Sequence, residues 1–329
     1  MRSSRLVLAA LLGAVILAIA LAGCGSSGGS STSGSEAESA TEKIDIGTFA
    51  GADFAPLWMG IESGAFEEAG LEVNATAAPS GAAMAAQLTA GQLDFAGINL
   101  DTAIQAISKG VPMEIVASVS YLTPSNPSLG TVVDKSSDIK EISQLAGKTV
   151  ATAVLQTTPD LGLRKALGES GDPEDVTVIS VPPPEQVAAV EAGRVDAAMV
   201  PEPFLTLARQ DPKVRLMESP IPSLGDHVLS GVVVSRPDYL SDHEEEAVKF
   251  LEAFGKQIAL AQKNQELARK AIPAFTEVEP ALAAEMTLPE YSPAIDTATI
   301  EEQAQLMSEL GWISKTPSTE ELVWGSAPE

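Results

Sequence analysis

Short apolar runs alternate along this chain with stretches of helical spacing, and the alternation is written twice. Ile44 to Phe49 and Thr149 to Val154 read as strands. Each is followed by a helical segment ending at a glycine, Pro56 to Gly70 and Pro159 to Gly171, and then by another strand, Leu71 to Ala75 and Val176 to Val181. Next come the helical patterns Ala82 to Ala90, with Met84 and Leu88, and Glu185 to Ala192, with Val187 and Val190. Both lead into one sequence pattern, Ala90-Gly91-Gln92-Leu93-Asp94-Phe95-Ala96 and Ala192-Gly193-Arg194-Val195-Asp196-Ala197-Ala198, with the two glycines 102 residues apart. Glycine directly after the last helical residue is the expected left-handed stop. Leu93 to Ile98 and Val195 to Val200 then read as buried strands.

Each unit is therefore β-α-β-α-β followed by a further helix, which argues an α/β fold with parallel sheets and right-handed crossovers. Two such lobes in tandem make a hinged clamp. The tail differs. Ser241-Asp242-His243-Glu244 and Thr299-Ile300-Glu301-Glu302 read as capping boxes. The first leads a stripe of Ala247, Leu251, Phe254, Ile258 and Ala261, and the second leads to Leu306, Leu310 and a Gly311 stop. Having no strands of their own, these helices are expected on the first lobe. Pro124, Asn126 and Pro127 mark an outward crossing at 121–131, and a return crossing is expected at 235–239. Lobe one is then 43–122 plus 236–329, and lobe two 130–234.

The N-terminus sets the compartment. Arg2 and Arg5 precede an apolar run from Leu6 to Ala22, the form of a secretory leader rather than a permanent span. It ends in Leu21-Ala22-Gly23-Cys24, and Cys24 is the sole cysteine. That sequence resembles the lipobox of bacterial lipoproteins, so residues 1–23 are expected to be removed and Cys24 to carry the lipid anchor. The alternative, an uncleaved anchor helix, also puts the remaining chain outside the cytoplasm. Residues 24–42 are dominated by Gly, Ser, Thr and Glu, the composition of a flexible tether. The formal charge is −25, and loss of Arg2 and Arg5 with an acid-free leader makes it −27. Such a body repels nucleic acid and anionic headgroups.

Four blocks in order behind the lipobox carry a resemblance. They are Pro56 to Val73, which contains Gly64-Ala65-Phe66-Glu67 and Gly70-Leu71-Glu72-Val73; Gly91 to Phe95; Leu145 to Val150; and Gly193 to Ala197 with Glu202-Pro203. The chain resembles the nitrate/sulfonate/taurine and thiamine-pyrimidine (NMT1-like) group of ABC-transporter substrate-binding proteins. It departs from the pattern at Ala65, where the group usually has an aromatic. The resemblance implies the type II periplasmic-binding-protein fold, two α/β lobes on a two-strand hinge. It also implies a monomeric, lipid-anchored binder at the outer face of the cytoplasmic membrane, periplasmic or cell-surface, that delivers a small molecule to ABC permease and ATPase subunits.

In α/β lobes ligands sit beyond the carboxyl ends of strands, where loops meet helix N-termini. Those loops are Ala50 to Pro56, Ala77 to Gly81 and Ile98 to Thr102 in lobe one, and Leu155 to Pro159, Pro182 to Glu185 and Val200 to Phe204 in lobe two. None contains Lys or Arg. The candidate ligand residues are Asp53, Phe54, Trp58, Ser80, Gly81, Asn99, Asp101, Gln156, Thr157, Thr158 and Glu202. A sulfonate or nitrate site would be helped by an Arg fork. The loops instead favour a neutral or cationic nitrogen-bearing ligand such as an aminopyrimidine, with a sulfonate, taurine or nitrate-type anion as the alternative. Asp101 and Ser80 equally suit helix caps, Asp94 and Asp196 suit structural contacts, and Trp58 suits the core.

Neither a catalytic residue nor a cofactor is expected. Gly147-Lys148-Thr149 lacks the earlier glycine of a phosphate loop, since position 142 is Ile142. His227 and His243 stand apart from one another, so no metal site is expected. Enzymes exist on the same fold, and fold alone does not separate them from binders.

Overall fold

The computed structural model describes residues 41–78 and 80–327. The leader, Cys24 and nearly all of the tether lie outside the described residues.

The first repeat forms β1 (Glu42–Thr48), α1 (Ala55–Glu62), α2 (Ala65–Glu68), β2 (Leu71–Ala77), α3 (Gly81–Thr89), β3 (Phe95–Asn99) and α4 (Leu100–Ser108). Strand β4 (Glu114–Leu122) leaves this lobe and β5 (Leu129–Asp134) enters the other. The second repeat follows as β6 (Thr149–Thr152), α5 (Thr158–Gly168), β7 (Thr177–Ser180), α6 (Pro183–Glu191), β8 (Ala197–Pro201), α7 (Phe204–Gln210) and β9 (Val214–Met217). Strand β10 (Val228–Ser235) opens the tail, followed by α8 (Pro237–Asp242), α9 (Glu244–Lys263), α10 (Gln265–Phe275), α11 (Pro280–Glu285), β11 (Glu290–Tyr291), α12 (Thr297–Glu309) and α13 (Thr319–Leu322).

The sheet orders are β11-β4-β10-β3-β1-β2 and β7-β6-β8-β5-β9. With β1, β2 and β3 equated to β6, β7 and β8, the lobes share one order, and β10 matches β5. The sheets are mixed rather than parallel: β10 runs antiparallel to β3 and β4, and β5 antiparallel to β8 and β9. A strand arriving from the opposite lobe starts at the cleft and runs away from it, against strands that end there.

This corrects the return crossing expected at 235–239. The run 228–234 belongs to the first sheet, so the chain returns through 218–227. Pro237 begins α8 as a first-turn proline and does not break the strand before it.

The repeated glycines do the same work in both lobes. Gly91 and Gly193 have φ of 70° and 64°, and the next residue donates back across the stop, Gln92 N to Gln87 O and Arg194 N to Ala189 O, each at 2.9 Å. The repeated aspartates do likewise. Asp94 accepts from Asp45 N and Asp196 from Thr149 N, both at 2.8 Å, tying the approach to each third strand to its neighbour.

Strand alternation places apolar residues on both faces of each sheet. In β10, Val233 faces one core with Phe95, Phe250 and Phe254, while Val232 and Val234 face another with Met84, Ile98 and Met307. In β8, Ala198 and Val200 face one core and Ala197 and Met199 the other. Gly64, at φ 74°, splits the expected long helix into α1 and α2. Beside it Phe66 stacks on Phe250 at 5.8 Å, so the aromatic anchor lies one position after Ala65.

The tail covers the first lobe, its stripe from Ala247 to Ala261 buried against α1. The capping boxes are not where the sequence put them. Ser241 lies inside α8 and α9 starts at Glu244 without a side-chain cap, while α12 is capped by Asp296, which accepts from Thr299 N at 3.1 Å.

Candidate functional site

Loops from the carboxyl ends of β1, β3, β6 and β8 enclose a cleft of about 320 Å³ between the two sheets. Larger depressions run along α12 and α13, and behind the crossings, but neither is built from these loops. Lobe one lines the cleft with Phe49, Asp53, Asn99, Leu122 and Ser230. Lobe two adds Ser128, Thr152, Thr157, Thr158, Met199, Glu202 and Phe204. Among the described lining residues there is no Lys, Arg or His. Nor do three His, Cys, Asp or Glu side chains come together as a metal-holding group among the described residues.

Asp53 sits in the first loop and accepts from Ser120 Oγ at 2.8 Å. Burial raises its pKa above the usual carboxylate value, and the Ser120 bond opposes that rise. Ser120 reaches it because β10 has a glycine alongside: a Cβ at Gly231 would lie in the space of Ser120 Oγ. From the tail, Tyr291 donates its hydroxyl to Ala52 O at 2.7 Å, bracing the same loop.

Glu202 ends the β8 loop. It pairs with Arg209 at 2.9 Å and accepts from Thr206 N at 3.0 Å and from Thr287 N at 3.1 Å. Its charge is thereby engaged by protein donors. Arg209 also reaches Thr287 Oγ1 at 3.2 Å, and Gln210 donates to Glu285 at 2.8 Å. These bonds close one side of the cleft.

On the other side, Asp101 of lobe one is fully buried and accepts from Thr158 of lobe two, N at 2.7 Å and Oγ1 at 2.6 Å. One turn of α4 away, Gln105 donates to Gln156 O at 2.9 Å. Gln156 has φ 57°, a left-handed conformation that costs a non-glycine residue roughly 1–2 kcal/mol. That turn aims its carbonyl at lobe one.

Of the residues expected to bind ligand, the structure brings Asp53, Asn99, Thr157, Thr158 and Glu202 to the cleft wall. Six others do not line it. Trp58 stacks on Phe275 at 4.9 Å, against the first lobe's core. Phe54 is buried against Gly97, where an added Cβ would lie 2.8 Å from its Cδ1 and Cζ. Ser80 caps α3 through Ala83 N at 3.2 Å, with Gly81 opening that helix. Asp101 and Gln156 join the lobes rather than face the cavity.

Phe49, Leu122, Ser128, Thr152, Met199, Phe204 and Ser230 also line the cleft and are not among the sequence candidates. Phe49 had a signal, since it ends the first strand beside the first loop. Ser230 had none once its strand had been assigned to the other lobe.

The sequence pattern of the NMT1-like family matches residues 37–212, more than half of the chain. The chain belongs to the NMT1-like family. It is 28% identical over 248 residues to a Bacillus subtilis (strain 168) protein whose name provisionally assigns it the binding of aliphatic sulfonates, covering 74% of this chain and 71% of that one. It is 29% identical over 198 residues to the taurine-binding periplasmic protein of Escherichia coli (strain K12), covering 60% and 58%. The structure of the periplasmic aliphatic sulphonate binding protein SsuA from Escherichia coli superposes with a TM-score of 0.73 at 18% identity, over 88% of this chain and 94% of that one. This NMT1-like chain has the periplasmic-binding-protein fold.

Proposed function

We propose that this chain is the extracytoplasmic solute-binding component of an ABC importer, capturing an intact small molecule between its lobes. The observation that carries the reading is the cleft itself, walled by loops of both lobes and bridged on two sides by hydrogen bonds between them. Its volume of about 320 Å³ lies at the small end of the range for ligand pockets. A ligand touching both lobes favours the form in which they meet. Binding rather than catalysis is supported by the names of the curated relatives. Export through the leader and anchoring through lipid on Cys24 complete the reading, and the closed form is presented to permease and ATPase subunits.

The favoured ligand is a small nitrogen-bearing molecule, neutral or cationic. Asp53 and Asn99 offer acceptors for its N–H groups, Phe49 and Met199 offer apolar faces, and no basic side chain among the described residues competes for the acceptors. A second reading, an organosulfonate, is favoured by the binding named for the two curated relatives. In that case the anion is met by uncharged donors of the wall, the side chains of Asn99, Ser128, Thr157 and Ser230. Isothermal titration with aminopyrimidines, alkylamines, taurine, butanesulfonate and nitrate separates them. Binding of aminopyrimidines or amines without butanesulfonate supports the first, and tight butanesulfonate binding alone overturns it. Heat from none of the five would overturn both.

A further inference from the structure

We propose that Asp101 is a latch that holds the lobes closed and makes closure respond to pH. The proposal rests on the clamp reading above and assigns its regulation. Asp101 stands in the first turn of α4, and Thr158 is the first residue of α5. Helix α4 follows the carboxyl end of β3 and α5 follows that of β6, and both ends face the cleft, so their N-termini meet when the lobes meet. The first N–H groups of a helix lack partners in their own helix. Thr158 N finds its acceptor 57 residues away in the opposite lobe, and Thr158 Oγ1 donates to the same carboxylate oxygen.

Closure takes this carboxylate wholly out of water, and its other oxygen, Oδ1, is buried with no hydrogen-bond partner among the described residues. The anion is thus half satisfied. When the lobes part, water reaches both oxygens. Opening and closing therefore move one charge between two very different surroundings.

The charged groups around it do not offset the burial. Asp160, two residues beyond Thr158 on α5, faces Asp101 and is itself paired with Arg164 at 2.9 Å. Lys109 caps the far end of α4. The other elements packed on α4 that bring titratable groups are α12 and α13, with Glu301, Glu302, Glu309, Glu320 and Glu321. Those α12 and α13 carboxylates are exposed.

Burial, partly opposed by the Thr158 bonds, moves the Asp101 pKa from 3.8 to about 6 in the closed form. The closed form therefore binds a proton more tightly than the open one. By linkage, closure strengthens as pH falls from 7 through 6 and levels off below the ordinary aspartate value. Between about pH 7.5 and about pH 5 the closed-to-open ratio should rise about tenfold.

The test uses the full chain with no ligand added. Protection of the Thr158 amide against hydrogen exchange, taken relative to its unfolded rate, reports closure, and small-angle scattering reports compactness. The latch predicts about tenfold greater protection and a smaller radius of gyration at the lower pH. Asp101→Asn, which keeps the shape without the charge, should abolish both pH responses. Thr158→Val removes one donor that lowers the pKa, so it should keep the response and move its midpoint upward. A wild type indifferent to pH, an Asp101→Asn chain that keeps the response, or a Thr158→Val midpoint unmoved or lowered would each overturn the latch. If the chain responds to pH but binds none of the five probes, the ligand reading falls and the latch stands. If it binds a probe without any pH response, the latch alone falls.

Discussion

Gly231 is the position where one added carbon tests how the cleft is assembled. A Cβ there would occupy the space of Ser120 Oγ, yet would sit 3.6 Å from Ser120 Cβ and 3.7 Å from Asp53 Cβ, which is ordinary contact. The obstruction is thus one buried oxygen, and it clears only if the hydroxyl rotates away. Rotation breaks the 2.8 Å bond to Asp53. Hydrogen bonds to charged groups contribute about 1.5–3 kcal/mol, so Gly231→Ala should cost about 2 kcal/mol. Ser120→Ala deletes the same bond and should cost a similar amount. In the Ser120→Ala background the obstruction is already gone, so adding Gly231→Ala should cost less than about 0.5 kcal/mol, a coupling of about 2 kcal/mol between neighbours. Urea unfolding of the four full-length chains at neutral pH measures all three differences. Additive costs would refute the reasoning, because they would mean that Gly231 is needed for something other than room for the Ser120 hydroxyl.

Three further outcomes are expected. Tyr291→Phe removes the hydroxyl's bond to Ala52 O and leaves that carbonyl only its bond from Ala55 N; it should lose about 1 kcal/mol in urea unfolding and weaken probe binding by loosening the Asp53 loop, and unchanged stability would contradict the brace. Arg209→Met leaves Glu202, whose side chain is 2% exposed, without its cation; the loss should be about 2 kcal/mol, and a gain in stability would show that the pair is not required. Asp53, Asp101 and Asp160 all have pKa values raised by burial. The folded chain therefore binds their protons more tightly than the unfolded chain, and stability should rise as pH falls from 7 through 6, with Asp101 acting between about 6 and 3.8. Relief of the −25 charge acts in the same direction. A melting temperature lower at about pH 5 than at about pH 7 would contradict this sign.

The repeat was legible because each lobe needs the same local chemistry at the same step. Gly91 and Gly193 end helices in a left-handed turn, and Asp94 and Asp196 tie strands through one bond pattern, so type and spacing survive together. The return strand was not legible. Val228 to Ser235 is apolar on both faces in either lobe, and partner choice between two sheets leaves no mark on such a run. The capping boxes failed for a related reason. Ser-x-x-Glu spacing recurs inside helices, and at the start of α12 Asp296 satisfies the amide instead. At the cleft, the loops are legible from their position after strands, and Asp53, Asn99, Thr157, Thr158 and Glu202 lie on its wall. Side-chain direction was the part not written in the loops. Phe54 and Trp58 turn inward because Gly97 leaves room for one ring and Phe275 offers a stacking face to the other.

Native mass spectrometry of the full chain, incubated with the five probes together, is the most direct test that the lobes hold a guest and leave it unchanged. One probe per chain, at the mass of the unaltered compound, is the expected result. A chain that carries no probe, or releases a compound of altered mass, would contradict it.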